Sequence, residues 1–138
     1  MKKNMPITVL MSDNPITLNS DDDLTTAEEL FKIHNIRHIP IVQGRRVIGM
    51  LSHTDLLRVS YKDSIEEYET EFDTVLNSEF TIEQVMTKNV SAVTTKTTIE
   101  EVATILSKRE FHALPVLENE ELIGIVTTTD LIHYLLNQ

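Results

Sequence analysis

One unit of sequence occurs twice in this chain. Residues 7–63 align with residues 82–138 at a constant offset of 75 without a gap, and nine of the 57 aligned positions are identical. Apolar character is kept wherever a core would need it, so we infer two copies of one supersecondary unit. The identical pairs are Ile7/Ile82, Met11/Met86, Asn14/Asn89, Pro40/Pro115, Ile48/Ile123, Gly49/Gly124, Thr54/Thr129, Asp55/Asp130 and Leu56/Leu131, and the conservative pairs include Ile39/Leu114, Ile41/Val116, Leu51/Val126, Ser52/Thr127 and Leu57/Ile132.

Each copy predicts the same order of elements, β-α-β-β-α. A short extended piece and a polar turn precede apolar residues at helical spacing, and a hairpin and a last helix follow. Pro40 and Pro115 cannot donate to a ladder, so we expect each at a strand start or an open edge. The expected apolar helix face is formed by Leu24, Ala27, Leu30, Phe31, Ile33 and His34 in the first copy and by Ile99, Val102, Ile105 and Leu106 in the second.

These elements predict an α/β (α+β) fold built from two β-α-β-β-α repeats. A repeat of 57 residues is marginal by itself. We therefore expect the two copies to pack through their sheets with pseudo-twofold symmetry. The predicted domains are 7–62 and 82–137. Residues 63–81 form an acidic connector between them, because positions 64–81 carry six acidic residues and no basic one.

Charge and composition exclude several kinds of function. A net charge of −10 argues against nucleic acid as a partner, because phosphate binding needs a basic face. No apolar run is long enough to cross a bilayer, and the N-terminal stretch is too short for a signal peptide. The chain has no cysteine, which suits a reducing compartment. We expect a cytoplasmic protein with no membrane partner.

Three motifs recur in the same order in both copies. They open each copy, lead into the first hairpin strand, and join the second hairpin strand to the last helix. With all three present twice, the chain resembles a tandem pair of CBS domains, named after cystathionine β-synthase, over nearly its whole length. The motifs are Leu10–Ser12 and Val85–Thr87, Ile36–Val42 and Phe111–Leu117, and Ile48–Leu57 and Ile123–Ile132.

The resemblance implies regulatory binding of an adenosine-containing ligand in clefts between the two copies. AMP, ADP, ATP and S-adenosylmethionine are the ligands of this family, and they act as signals rather than as required cofactors. Such pairs usually accompany an enzyme or transporter domain, which this sequence does not contain. We therefore expect the bound state to be passed to a separate effector protein.

A Ser/Thr-x-x-Asp element follows the last strand of each copy, as Ser52 with Asp55 and as Thr127 with Asp130. It places a hydroxyl and a carboxylate in the first turn of a helix. The carboxylate can accept hydrogen bonds from ribose hydroxyls, and the hydroxyl and free backbone N–H groups suit a phosphate. The competing interpretation is a capping box, in which both side chains only satisfy the helix start. Capping does not exclude binding.

The resemblance also assigns the adenine to backbone just before the central strand of each copy. The side chains cannot make the two clefts equivalent, because Thr17 is matched by Ala92 and His38 by Ala113. The alternative to ligand contact for Ile39 and Leu114 is that both are ordinary residues of the hydrophobic core. The residues carried over to the adenine are Thr17, His38 and Ile39 in the first copy and Ala92, Ala113 and Leu114 in the second. Pro40, Thr54, Pro115 and Thr129 complete the expected set of ligand-binding residues.

Basic residues concentrate in the first copy. They make it the expected host of an anionic ligand, although Arg45 and Arg46 belong to a turn and suit ordinary surface solvation. No histidine shows convincing metal-ligand spacing, so we expect no metal. The residues concerned are Arg37, His38, Arg45, Arg46, His53 and Arg58, and the second copy has His112 and His133 at the positions that match Arg37 and Arg58.

No catalytic constellation is present, with three glycines in all and no phosphate loop or nucleophile motif. We therefore expect no enzyme activity. The alternative to a sensor is a constitutive interaction or dimerisation module without a ligand. The helices after Asp55 and Asp130 carry more apolar residues than one small sheet needs, which predicts a homodimer.

Overall fold

The computed structural model describes residues 3–66 and 80–138. Most of the predicted acidic connector, residues 67–79, lies outside the described residues. In chain order the elements are a 3₁₀ turn (Ile7–Val9), β1 (Ser12–Asp13), β2 (Leu18–Asn19), α1 (Leu24–His34), β3 (His38–Gln43), β4 (Arg46–Ser52), α2 (His53–Glu66), α3 (Ile82–Val85), β5 (Val93–Thr94), α4 (Ile99–Lys108), β6 (Ala113–Glu118), β7 (Glu121–Thr127) and α5 (Thr128–Leu136).

The chain divides into two compact units. The central unit comprises residues 16–89, and the terminal unit combines residues 1–15 with residues 90–138. A three-stranded sheet in the order β2-β3-β4 lies in the central unit, and a four-stranded sheet in the order β1-β7-β6-β5 lies in the terminal unit. The mixed α/β fold and the repeated β-α-β-β-α order are confirmed.

The opening segment of each repeat packs with the other repeat. Strand β1 pairs with β7, with Ser12 opposite Ile125. In the central unit, Thr87 and Met50 bridge, and their backbone N–H groups donate to each other's carbonyls at 2.8 and 3.0 Å. Each compact unit is therefore assembled from the first segment of one sequence repeat and the remainder of the other.

The identical glycine pair is a consequence of this exchange. A Cβ atom on Gly49 would overlap the Met86 sulfur and would lie 3.0 Å from the Thr87 carbonyl oxygen. A Cβ atom on Gly124 would lie 2.6 Å from the Met11 sulfur, and 3.0 Å from the carbonyl oxygen of Ser12. Only glycine lets each opening segment approach its strand so closely.

Each unit has a hydrophobic core between its helices and one face of its sheet. Ile82 belongs to the core of the central unit and Ile7 to that of the terminal unit, and both are fully buried. The expected core face of α1 is wrong at Ile33, which is 72% exposed, and at His34, which is exposed at the end of the helix. At 100° per residue, Ile33 lies well away from the stripe formed by Leu24, Ala27 and Phe31, which are buried.

The two prolines occupy equivalent places in β3 and β6, which lie between the short strand and the second hairpin strand of their repeats and are called the middle strands below. Pairing of β2 with β3 begins at Ile41, one residue after Pro40. Pairing of β5 with β6 likewise begins at Val116, directly after Pro115. Each proline therefore stands where the neighbouring short strand has not yet begun, so the strand edge is open there, as expected. Within the described ranges, no helix has both the length and the apolar character needed to cross a membrane.

Candidate functional site

The first Ser/Thr-x-x-Asp element lies at the junction of β4 and α2. The Ser52 hydroxyl accepts a hydrogen bond from the backbone N–H of Asp55 at 3.0 Å. The Asp55 carboxylate is 26% exposed, and its Oδ1 lies 3.4 Å from Nη1 of Arg58, one helical turn onward. The strand end and the helix start thus hold a hydroxyl and a partly exposed carboxylate side by side.

The second element lies at the junction of β7 and α5 and is arranged differently. The Thr127 hydroxyl accepts from the backbone N–H of Asp130 at 3.1 Å, and Oδ2 of Asp130 accepts from the backbone N–H of Thr127 at 2.9 Å. These reciprocal bonds form a complete capping box. Capping is therefore present at both helix starts, and it leaves Oδ1 of Asp130 outside the box.

Backbone hydrogen bonds tie each helix start to the chain that leads into the middle strand. The N–H of His53 donates to the Arg37 carbonyl at 2.8 Å, and the N–H of Thr128 donates to the His112 carbonyl at 2.9 Å. The entry to each middle strand is thereby fixed beside the hydroxyl–carboxylate pair. This matters because the entry is where the resemblance assigned the adenine.

The register of the strands brings part of each predicted set together. His38 lies opposite Ser52, and Ala113 lies opposite Thr127. Thr17 is exposed and immediately precedes Leu18, which pairs with Ile41. In the terminal unit, Ala92 occupies the matching exposed position, and Thr54 and Thr129 are exposed in the two helix starts.

Ile39 and Leu114 are members of the hydrophobic cores, as the alternative interpretation held. Both side chains are fully buried among residues of the adjoining helices. Pro40 and Pro115 are buried as well. Any contact of these four residues with a ligand therefore has to come from the backbone.

The basic residues of the first repeat do not form one cluster. The ring of His53 packs against Phe31, with ring centroids 5.2 Å apart. Arg46 begins β4 and Ser52 ends it, which separates the hairpin arginines from the site by about 20 Å. Arg58 is placed against a candidate carboxylate, and sequence reasoning did not identify that contact. Among the described residues, no three His, Asp or Glu side chains are grouped so as to hold a metal ion.

Duplication, fold and paired hydroxyl–carboxylate elements together define a tandem module in which each copy carries one candidate site. The family model for the CBS domain matches residues 7–62 and 82–137, so the chain belongs to the CBS domain family. This confirms the resemblance drawn from the motifs.

Curated relatives of this chain are longer proteins that contain a similar segment. Protein MJ1225 of Methanocaldococcus jannaschii is 30% identical over 133 residues, covering 96% of this chain and 43% of the relative. The L-aspartate semialdehyde sulfurtransferase of the same organism is 28% identical over 131 residues, covering 91% of this chain and 23% of the enzyme. The chain spans less than half the length of these curated relatives.

A solved structure of similar length shares the whole fold. The CBS domain pair of protein MJ0100, crystallised in complex with 5′-methylthioadenosine and S-adenosyl-L-methionine, matches with a TM-score of 0.80 and 25% sequence identity. The match covers 95% of this chain and 99% of the other.

Proposed function

We propose that this chain is a regulatory module that binds an adenosine-containing ligand and passes the bound state to a partner protein. The observation that carries the proposal is the hydroxyl–carboxylate pair found at the same strand–helix junction in both units. A ligand signals only if it binds two arrangements of the protein with different affinity, and this is the role we assign to AMP, ADP, ATP or S-adenosylmethionine.

The chemistry of the pair supports an adenosine ligand. A carboxylate that is partly exposed can accept hydrogen bonds from both ribose hydroxyls, and bonds to a charged group contribute about 1.5–3 kcal/mol each. The fixed entry to the middle strand offers backbone donors and acceptors to the purine edge. The complex of the MJ0100 domain pair with two adenosine compounds supports the same ligand class.

A thermal-shift panel tests the proposal. The native protein is mixed with AMP, ADP, ATP, S-adenosylmethionine, NAD and GMP, and a ligand at a hundred times its dissociation constant should add about 2.7 kcal/mol. Asp55→Ala and Asp130→Ala, alone and together, should reduce the shift, and the double variant should abolish it. Asp55→Ala keeps the Ser52 cap, whereas Asp130→Ala loses one bond of the capping box, which by itself costs about 1 kcal/mol and would leave affinity unchanged.

Two results would contradict the proposal. No shift with any adenosine compound at millimolar concentration would favour the constitutive interaction module instead. An unchanged shift in the double variant would remove Asp55 and Asp130 from ligand binding. Circular dichroism of each variant shows whether the fold is retained.

Assembly into a homodimer is a second part of the proposal, favoured by exposed apolar residues on the last helix of each repeat. Leu135 is 54% exposed and Leu136 is 73% exposed on α5, and Leu57 is 51% exposed on α2. Light scattering should return a dimer at micromolar concentration, and Leu135→Glu should weaken it. Ile33→Glu, at another exposed apolar residue, is the matched control. A native monomer would contradict the dimer.

A further inference from the structure

The side chain of Arg58 competes for the carboxylate that the proposed function gives to a ribose. Its Nη1 lies 3.4 Å from Oδ1 of Asp55, and 74% of the Arg58 side chain is exposed. Exposed ion pairs of this kind are weak, at roughly 0–1 kcal/mol, so a ligand can displace the arginine. A nucleoside that binds Asp55 nevertheless leaves Arg58 without that partner.

A ligand that carries a phosphate as well as a ribose can replace both partners at once. The ribose hydroxyls donate to Asp55, and the guanidinium of Arg58 turns to the phosphate oxygens. Arginine is suited to this exchange because its planar fork matches the geometry of a phosphate and its charge is permanent. The N-terminal end of α2 adds a favourable potential for an anion at the same place.

The terminal unit has no arginine at the position that matches Arg58. His133 occupies the place of Arg58 at the offset of 75, and a histidine carries no permanent charge. The Asp130 carboxylate is held instead by the backbone N–H of Thr127 at 2.9 Å. Residues 82–138 also carry a net charge of −4, against −2 for residues 7–63, which disfavours an anion further.

We infer that Arg58 makes the Asp55 site selective for adenosine ligands that carry a phosphate, whereas the Asp130 site takes adenosine ligands without one. The inference rests on the proposed function, because it assigns a ligand class to each of the two sites. Arg58 contacts the phosphate of the ligand itself. The residue at position 58 determines whether the Asp55 site binds a nucleotide or a nucleoside, and the residue at position 133 does the same for the Asp130 site.

Calorimetric titration with AMP and 5′-methylthioadenosine tests the inference. These compounds share the adenine and the ribose 2′- and 3′-hydroxyls, and only AMP has a phosphate. In an Asp130→Ala background, which isolates the Asp55 site, Arg58→His should weaken AMP binding about tenfold or more and leave 5′-methylthioadenosine binding unchanged or tighter. In an Asp55→Ala background, His133→Arg should strengthen AMP binding at the Asp130 site.

The control variant Arg45→His removes one positive charge from the hairpin, about 20 Å from Ser52 along β4. It should leave the preference for AMP intact. Equal effects of Arg58→His and Arg45→His, or equal weakening of both ligands by Arg58→His, would overturn the inference while the proposed function stands. Failure of both ligands to bind the native protein would also overturn the inference, whereas the proposed function fails only if no adenosine compound in the thermal-shift panel binds.

Discussion

The central and terminal units share the ladder between their two hairpin strands and differ at the start of their last helices. His38 faces Ser52 as Ala113 faces Thr127, and both ladders shift register at the same place, between the fourth and fifth residues of the middle strand. At the helix starts, however, one carboxylate pairs with an arginine and the other closes a capping box. The hairpin ladders of the two units are therefore alike, and the side-chain contacts of the two aspartates differ.

The first helices differ in a similar way. Asp23 caps α1 through bonds from the backbone and the hydroxyl of Thr26, at 2.8 and 2.7 Å. Thr98 caps α4 and forms a complete capping box with Glu101. A carboxylate therefore serves as the N-cap acceptor in the central unit, where the terminal unit uses a hydroxyl. Only the first of these acceptors can be lost by protonation.

The largest expected effect comes from the packing of each opening segment against the other repeat. Ile7→Ala should weaken the terminal unit, and Ile82→Ala should weaken the central unit, each by about 2–5 kcal/mol, because both side chains are fully buried. Hydrogen exchange locates the damage: Ile7→Ala should lower protection in β6 and β7 and spare β3 and β4.

Val9→Ala is the control for this pair, since Val9 is 52% exposed and should tolerate the change. If Ile7→Ala instead lowered protection mainly in β3 and β4, each opening segment would pack with its own repeat. The division into central and terminal units would then be wrong.

Substitution of the two strand glycines should have a smaller effect on stability, again one in each unit. Gly49→Ala and Gly124→Ala should each cost about 1–3 kcal/mol in free energy of unfolding, because the new methyl group meets a methionine sulfur and a backbone carbonyl oxygen. Chemical denaturation measures the loss. In a Met86→Ala background, Gly49→Ala should lower the free energy of unfolding by less than it does in the native protein, and Gly124→Ala should lower it by the same amount as in the native protein. A smaller loss for both glycines would contradict the separate docking of the two segments.

The helix caps give the smallest effect, which depends on pH. Hydrogen bonds from the Thr26 side chain and then from its backbone lower the pKa of Asp23 below the usual carboxyl value. The charged form is therefore favoured by folding. Its stabilisation is complete above the usual carboxyl pKa and is lost as the pH falls through the lowered one.

Asp23→Asn keeps an N-cap residue that does not titrate. The advantage of the native protein over this variant should be less than about 1 kcal/mol, because Asp23 is exposed to solvent, and it should shrink below the usual carboxyl pKa. Urea denaturation at neutral and at acidic pH measures it. A difference that grows on acidification would contradict the assignment of the cap to the carboxylate.

Periodicity and the repeat predicted the elements of the fold, but they could not predict which copy each opening segment joins. Both copies present the same kind of strand edge and the same glycine, so the apolar pattern around Ile7 or Ile82 fits either partner. The packing against Gly49 and Gly124 is visible only in three dimensions.

The candidate site was predictable to a similar extent. The Ser/Thr-x-x-Asp spacing indicated caps and carboxylates, and the caps are present. Asp55 can meet either the Ser52 backbone or Arg58 within one helical turn, because both lie three residues away. Spacing alone could not decide between these partners, and the pairing with Arg58 became apparent from the side-chain geometry.

Calorimetric titration of AMP into the native protein and into separate Asp55→Ala and Asp130→Ala variants compares the two units directly. If the units carry different adenosine sites and the Asp55 site prefers an anion, the two variants should differ in their affinity for AMP. Asp55→Ala should remove the tighter AMP site, and Asp130→Ala should leave it in place. Loss of the tighter site in Asp130→Ala, with the tighter site retained in Asp55→Ala, would contradict the account.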